Sequence, residues 1–294
     1  MSGLDQYYQR NFEIATKEFR SSLDCPNVSN NQRDTISFWI FAAENPAPKF
    51  GAIFNDPTCT KYYKAAINGD PFSQNMVGEC YYYQFKITEA AIWFAKAAIQ
   101  ENVTAIYNLG QCYAAGLPDQ PDFDTANKYF SRAASLGNSD AQLDLGLVLN
   151  IGLGIEQDRT KAVYWYTKSA IQGNTQAQLY LGKSLFKGIG IEKNDSLSFE
   201  WINKSAIQGN AEAINLLGEY FLKGIGTKKN YLKSIYWFRI GVIKSFDSSY
   251  YNLGYMYENG FGVDKNISTA INYYRLASTN GFEKATQRIK ELGY

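Results

Sequence analysis

Small and apolar residues recur at helical spacing along most of the chain. In SDAQLDLGLVLNIGLGI, Ala141, Leu145 and Leu149 stand at i, i+4 and i+8, which puts them on one face of a helix. A second stretch, after a polar interval, carries Ala162 and Trp165 at the same kind of spacing. The pattern therefore predicts units of two helices joined by a turn, each of which must bury its apolar face against a neighbouring unit.

Several columns of residues fix the length of this unit at 36 residues. A Leu-Gly pair ends at Gly110, Gly146, Gly182, Gly218 and Gly254. Glycine inside a helix costs about 1 kcal/mol relative to alanine. Its regular return predicts that a neighbouring helix packs too close for a side chain.

A Gly-x-Gly turn follows each of the last four Leu-Gly pairs, as in Gly188-Ile189-Gly190. A glycine-rich loop before a helix can bind phosphate, but these turns follow no strand and lack the Gly-Lys-Ser/Thr of a P-loop. We interpret them as structural turns that end the first helix. The predicted N-caps of the second helices are Asp122, Asp158, Asn194, Asn230 and Asn266.

The second helices carry a column of large aromatic residues: Trp93, Tyr129, Trp165, Trp201, Trp237 and Tyr273. Because the column falls at the apolar spacing of the helix, we interpret it as core rather than as a platform for stacking bases.

Taken together, the columns resemble the Sel-1-like repeat, a relative of the tetratricopeptide repeat, in segments such as QLYLGKSLFKGIGIEKNDSLSFEWINKSAIQGN (178–210) and YNLGYMYENGFGVDKNISTAINYYRLASTNG (251–281). The resemblance covers about residues 57–294. It implies an all-α fold, a right-handed α-solenoid of stacked helix-turn-helix repeats. The predicted units are 71–102, 103–138, 139–174, 175–210, 211–246 and 247–282.

The two ends depart from the repeat. Residues 1–56 are predicted to form an N-terminal helical cap, either a degenerate repeat or a specialised docking element. Residues 283–294 are predicted to form a C-terminal capping helix, because Lys290 occupies the column where close packing requires glycine.

The amino-acid composition argues against several classes of function. The net charge is +1, which argues against a dedicated nucleic-acid binder. The chain has no histidine, which excludes Ser-His-Asp and Cys-His catalysis, and we expect no metal and no cofactor. No signal peptide or membrane span is seen, so a cytoplasmic location is expected. The four cysteines are then predicted to be reduced, with Cys80 and Cys112 as small buried residues.

In arrays of helical pairs, the first helices line the concave surface, and positions beside the core stripe face the groove. The columns that vary between units are therefore the predicted partner-binding residues, although some of them could instead belong to the core between units. They are Tyr107, Gln111, Leu147, Lys183, Phe186, Asn215, Glu219, Leu222, Tyr251, Tyr255 and Glu258.

This mixture of aromatic, apolar and charged residues is typical of protein recognition. We therefore predict a non-catalytic module, an adaptor, scaffold or inhibitor, that binds a protein or peptide in its groove. By family analogy, one specific form is an immunity protein that neutralises a cognate bacterial toxin. The alternative of another class is a hydrolase, the β-lactamase label carried by cysteine-rich proteins of this repeat type. This chain lacks their paired cysteines.

Overall fold

The computed structural model describes residues 57–117 and 120–294, and every regular element in these two stretches is an α-helix. The predicted N-terminal cap, residues 1–56, lies outside the described residues. The 14 helices are α1 (Pro57–Ile67), α2 (Pro71–Tyr82), α3 (Ile87–Ile99), α4 (Val103–Ala114), α5 (Phe123–Ser135), α6 (Ser139–Ile151), α7 (Arg159–Ile171), α8 (Thr175–Lys187), α9 (Asp195–Ile207), α10 (Ala211–Lys223), α11 (Tyr231–Ile243), α12 (Asp247–Asn259), α13 (Ile267–Thr279) and α14 (Glu283–Glu291).

The chain divides into two compact bodies, each built from several of the repeats, which we call unit 1 and unit 2. Unit 1 contains α1–α5, with the described part of the chain up to residue 141 and residues 153–155. Unit 2 contains residues 142–152 and 156–294, which include α7–α14. Within each unit, every helix packs against the next one along the chain. This order is what a series of helical hairpins requires, since no hairpin can bury its apolar face alone.

Side-chain caps start most of the helices. All five predicted caps of the second helices are confirmed; in α11, for example, Asn230 Oδ1 accepts a hydrogen bond from the Lys233 N–H at 3.0 Å. Asn174 caps α8 in the same way, with 3.0 Å to the Ala177 N–H. Each cap satisfies a backbone donor that the first turn of a helix would otherwise leave unpaired.

The repeated helical glycine lies against the second helix of its own hairpin, as predicted. A Cβ at Gly218 would lie 2.5 Å from the Phe238 ring, and one at Gly182 would lie 2.7 Å from Ile202. The large side chain that contacts this glycine is therefore the residue after the predicted aromatic. Phe238 is fully buried, whereas the preceding Trp237 is only half-buried and packs on an apolar cluster formed by its own repeat and the repeat before it.

The two glycines of the Gly-x-Gly turn have different structural roles in unit 2. Its first glycine ends the helix, as Gly224 does for α10 with φ +77°. Its second glycine meets the preceding repeat: a Cβ at Gly226 would lie 2.0 Å from the carbonyl oxygen of Asp195, the first residue of α9. The turn therefore also fixes the spacing between repeats.

The prediction of reduced cysteines is wrong for one pair. Cys59 in α1 and Cys80 in α2 form a disulfide with a Cα–Cα distance of 6.0 Å. The repeat columns do not indicate this pairing, because Cys59 lies on the helix before the first regular unit. Cys112 is free and buried, as predicted, and burial raises the pKa of its thiol to about 12.

Unit 2 closes with a short polar helix. In α14, Ala285 is buried and Lys290 is exposed, so the helix packs by one narrow apolar face. Across residues 57–117 and 120–294, no helix has the length and apolar character needed to cross a bilayer.

Candidate partner-binding site

Unit 2 contains a surface cavity of about 710 Å³, which we call the unit 2 cavity. Its lining comes from α10 and α12, from the turns that follow them, and from the start of α11 and of α14. A volume of this size accommodates several side chains of a bound molecule. The lining residues are Glu219, Leu222, Lys223, Lys229, Tyr231, Ser248, Tyr251, Asn252, Tyr255, Phe261, Phe282 and Lys284.

A hydrogen-bonded polar group joins α10 to α12 at this cavity. Asn252 Nδ2 donates to Asn215 Oδ1 at 2.9 Å and lies 3.5 Å from Glu219 Oε1. Asn215 Nδ2 donates to Glu219 Oε1 at 3.1 Å, and Ser249 Oγ donates to Asn215 Oδ1 at 3.1 Å. Because its amide group is committed to these bonds, the Asn252 side chain is held in one orientation.

The same arrangement occurs in unit 1. Asn108 Nδ2 donates to Asn75 Oδ1 at 3.0 Å and lies 3.4 Å from Glu79 Oε1, while Asn75 Nδ2 donates to Glu79 Oε1 at 2.9 Å. In both units the first asparagine stands three residues before the repeat glycine and the glutamate one residue after it. The second asparagine stands two residues before the glycine of the next repeat. The arrangement is thus encoded by position within the repeat.

Aromatic rings form two groups around the unit 2 cavity. Tyr231 and Phe261 stack with ring centroids 4.9 Å apart, and Tyr255 meets Phe261 edge-on at 5.8 Å. In the second group Tyr251 lies 5.4 Å from Phe282. Burial raises the pKa of the Tyr251 hydroxyl above its usual value, which favours its neutral form. These rings offer flat apolar surface that loses little conformational entropy on binding.

The charge at the unit 2 cavity is positive. Its lining contains Lys223, Lys229 and Lys284 but only one carboxylate, Glu219. Lys223 Nζ lies 3.1 Å from Glu219 Oε2, which leaves two exposed lysines in excess. Lys229 lies near the Tyr231 ring at 6.0 Å, and no ion pair to Lys284 is found in the described stretches. The cavity is therefore suited to an anionic side chain.

A model of the Sel1 repeat matches residues 71–102, 103–138, 139–174, 175–210, 211–241 and 247–282. These matches cover well over half of the chain. The chain belongs to the Sel1 repeat family.

Solved structures agree with this assignment. This Sel1 repeat protein is similar to a protective antigen present in uropathogenic Escherichia coli strains, which displays an SLR fold. The TM-score is 0.73 and the sequence identity is 28%, and the match covers 80% of this chain and 51% of that one. The chain thus spans about half the length of that antigen. It is also similar to a Sel1 repeat protein from Oxalobacter formigenes, with a TM-score of 0.69 and 26% identity over 74% of this chain and 86% of that one. No curated protein matches the chain. The predicted class, an all-α solenoid of helical repeats, is confirmed.

Four of the predicted partner-binding residues of this Sel1 repeat protein come together at the unit 2 cavity: Glu219, Leu222, Tyr251 and Tyr255. The other positions lie elsewhere. Tyr107 and Gln111 belong to unit 1, where Gln111 Nε2 donates to the Tyr107 hydroxyl at 2.6 Å.

Three further predicted residues, Leu147, Lys183 and Phe186, are half-buried in unit 2 and do not line its cavity. Lys183 pairs with Glu212, and Phe186 packs against the apolar cluster around Tyr220. Their role in partner binding remains a prediction.

Three predicted residues are more buried than a groove-facing position implies. Asn215 is 4% exposed, Leu222 is 9% exposed and Glu258 is 7% exposed. Glu258 accepts hydrogen bonds from the Tyr274 hydroxyl at 2.6 Å and from Arg288 Nε at 3.1 Å, and a second Arg288 nitrogen pairs with its other oxygen. The Glu258 carboxylate is occupied by α14 rather than presented to a partner, because the last helix covers the position that would otherwise face the groove.

Eight lining residues were not predicted. Lys223, Ser248 and Asn252 belong to first helices but lie outside the columns chosen for the groove. The other five do not come from first helices of the predicted units: Lys229, Tyr231, Phe261, Phe282 and Lys284. One signal was available for Phe261. It is the middle residue of the last Gly-x-Gly turn, where the earlier turns carry Leu153, Ile189 and Ile225. The Phe261 ring both packs on the apolar cluster around Phe238 and lines the cavity.

Proposed function

We propose that this Sel1 repeat protein is a non-catalytic interaction module that binds a segment of a protein partner in the unit 2 cavity. Sel1 repeats generally act as protein-interaction modules, which supports the class of function. Neutralisation of a cognate toxin by occlusion is one specific form of this proposal.

The observation that carries the proposal is the meeting of variable first-helix residues at one concave surface. Tyr251 and Tyr255 supply aromatic faces, Leu222 supplies apolar surface, and Glu219 anchors the polar group that orients Asn252. Central aromatic residues surrounded by ordered polar groups are the usual composition of energetically important contact sites in protein interfaces.

The bonding of the Glu219 carboxylate also supports binding over catalysis. Its oxygens accept hydrogen bonds from Asn215 Nδ2 and from Lys223 Nζ at 3.1 Å each. A carboxylate that is committed to neighbouring side chains and that positions an amide is a better match to recognition than to proton transfer.

The test selects peptides from a random twelve-residue display library on the immobilised full chain. Selected peptides are then measured in solution by fluorescence anisotropy. Tyr255→Ala is expected to weaken their binding about tenfold or more, because it removes a large aromatic contact from the cavity. The matched control is Tyr164→Ala, which removes an exposed tyrosine of α7 outside the cavity and is expected to have no effect.

Circular dichroism and the urea midpoint of each variant establish that the fold is kept. Equal binding by the wild type and Tyr255→Ala would place the binding site elsewhere. Hydrolysis of a panel of ester, amide and lactam substrates, abolished by Glu219→Gln, would replace the binding function with an enzymatic one.

A further inference from the structure

The unit 2 cavity has two features that the proposed function does not use. Its lining contains a fixed side-chain carbonyl oxygen, that of Asn252, and two exposed lysine ammonium groups. Asn252 donates through Nδ2 to Asn215 and Glu219, and within the described stretches no group donates to its Oδ1. A side-chain carbonyl held in place in this way is a ready acceptor for a main-chain N–H. The exposed ammonium groups of Lys229 and Lys284 belong to the same lining.

We propose that the partner segment is an extended, acidic peptide, whose main chain donates to Asn252 Oδ1 and whose Asp or Glu side chains pair with Lys229 and Lys284. This inference rests on the proposed function and names the chemistry of its partner. The neighbouring aromatic rings would receive an apolar side chain of the same segment.

The extended conformation of the peptide follows from the number of main-chain N–H groups that it has available for hydrogen bonds. A helix has already paired its main-chain N–H groups internally, except in its first turn. An extended strand carries free N–H groups, so it can satisfy the Asn252 acceptor. The asparagine–glutamate–asparagine arrangement recurs in unit 1 at the same repeat positions, so this orientation of the amide does not depend on the local structure of one hairpin.

The acidic character follows from the balance of charges. Glu219 is compensated by Lys223 at 3.1 Å, so an incoming carboxylate meets Lys229 and Lys284 without an opposing free anion in the lining. The wider segment agrees with this local picture, because residues 181–294 contain 15 lysine and arginine residues against ten acidic ones. A field of this sign accelerates the approach of acidic partners and disfavours basic ones.

The first experiment compares the Asp and Glu content of peptides selected on the wild type with that of the input library. Enrichment is expected. The double variant Lys229→Glu/Lys284→Glu is expected to weaken the acidic peptides about tenfold at low salt and to select lysine- or arginine-containing peptides instead. The matched control, Lys168→Glu/Lys187→Glu, reverses two exposed lysines outside the cavity and is expected to leave both results unchanged.

The second experiment tests the main-chain contact. A selected peptide is N-methylated at one residue at a time, which removes single N–H donors. One position is expected to lose about fivefold in affinity for the wild type and almost nothing for Asn252→Ala, because the acceptor is then absent. A purely structural role of Asn252 would leave the methylation effect the same in both proteins.

The outcomes separate this inference from the proposed function. The inference would be overturned if the selected peptides depend on Tyr255 but are not enriched in Asp and Glu, and if the Lys229→Glu/Lys284→Glu variant does not select basic peptides. The proposed function as an interaction module would then still hold. Absence of any Tyr255-dependent peptide would overturn the proposed function itself. Displacement of bound peptide at physiological salt by a twenty-nucleotide single-stranded RNA would assign the lysines to phosphate and overturn the acidic-peptide proposal.

Discussion

The first helices of unit 1 and the later hairpins of unit 2 achieve close packing by different chemistry. α1 and α2 are joined by the Cys59–Cys80 disulfide, and the turn after α2 is made by residues that include Phe85, which has a positive φ of 60° and is 90% exposed. Unit 2 contains no cysteine, and its hairpins rely on helical glycines, Gly-x-Gly turns and asparagine caps.

This difference shows how a repeat sequence and a covalent bond substitute for each other. Where the columns are complete, each contact is supplied by a residue type at a fixed position. α1 lies before the regular units, and there the cross-link to α2 restricts the unfolded chain instead. The following changes test that division, from the largest expected effect to the smallest.

Gly226→Ala is expected to destabilise unit 2 by about 4 kcal/mol. The new Cβ would lie 2.0 Å from the Asp195 carbonyl oxygen, and the residue would keep a positive φ of 62° that alanine disfavours. Urea unfolding followed by tryptophan fluorescence measures the loss. The control Gly173→Ala also has a positive φ but nothing within 4 Å of the added Cβ, so it should cost only about 1 kcal/mol. Equal losses would show that the close approach to α9 is unimportant.

Removal of the disulfide by Cys59→Ser/Cys80→Ser is expected to destabilise unit 1 by about 3 kcal/mol, the loop-closure value for its sequence separation of 21 residues. Hydrogen exchange of α1 and α2 locates the effect. Dithiothreitol should reproduce it in the wild type and change nothing in the double variant. A reductant effect that persists in the double variant would contradict the assignment of the stabilisation to this bond.

Glu258→Gln is expected to destabilise the packing of α14 by about 2 kcal/mol at pH 7, because it leaves Arg288 without its buried partner. The hydrogen bonds from Arg288 hold the pKa of Glu258 below its usual value. The carboxylate therefore stabilises the fold above its unfolded-state pKa, and this contribution is lost as the pH falls through the lower folded-state pKa.

The measurement is the urea midpoint of wild type and variant at a series of pH values from 7 to 3. The gap between them should be largest at pH 7 and should narrow at the acid end. The control Glu291→Gln removes an exposed carboxylate from the same arginine and should leave the midpoint nearly unchanged. A constant gap at all pH values would mean that packing volume, rather than charge, accounts for the loss.

Asn230→Ala is expected to cost about 1 kcal/mol, since it removes the 3.0 Å hydrogen bond that caps α11. Thermal unfolding followed by circular dichroism detects a change of this size. Asn230→Asp keeps an equivalent acceptor and should differ from the wild type by only a few tenths of a kcal/mol. A similar loss in both variants would point to the side-chain amide nitrogen rather than to the cap.

The regular columns could be predicted from sequence because each depends on local geometry. The close approach at Gly218 and the cap at Asn230 follow from residue type and spacing alone. The disulfide could not be predicted, because Cys59 lies before the first regular unit, which begins at residue 71, and no column fixes its position. The burial of Glu258 also could not be predicted, since it depends on which helix covers the last hairpin.

The candidate site was only partly predictable for a similar reason. First-helix positions such as Tyr255 follow from the period, whereas Phe282 and Lys284 reach the cavity at the start of α14, which departs from the repeat columns. Where the columns are absent, the period does not indicate which residues face the cavity.

The second glycine of each Gly-x-Gly turn has a consequence for how such chains change length. Gly190 rests on Arg159, Gly226 on Asp195 and Gly262 on Tyr231, each the first residue of the second helix one repeat earlier. We expect the insertion or excision of a whole 36-residue block to keep these contacts, whereas a block of another length would place a different residue opposite each glycine. The array should therefore lengthen or shorten in whole repeats.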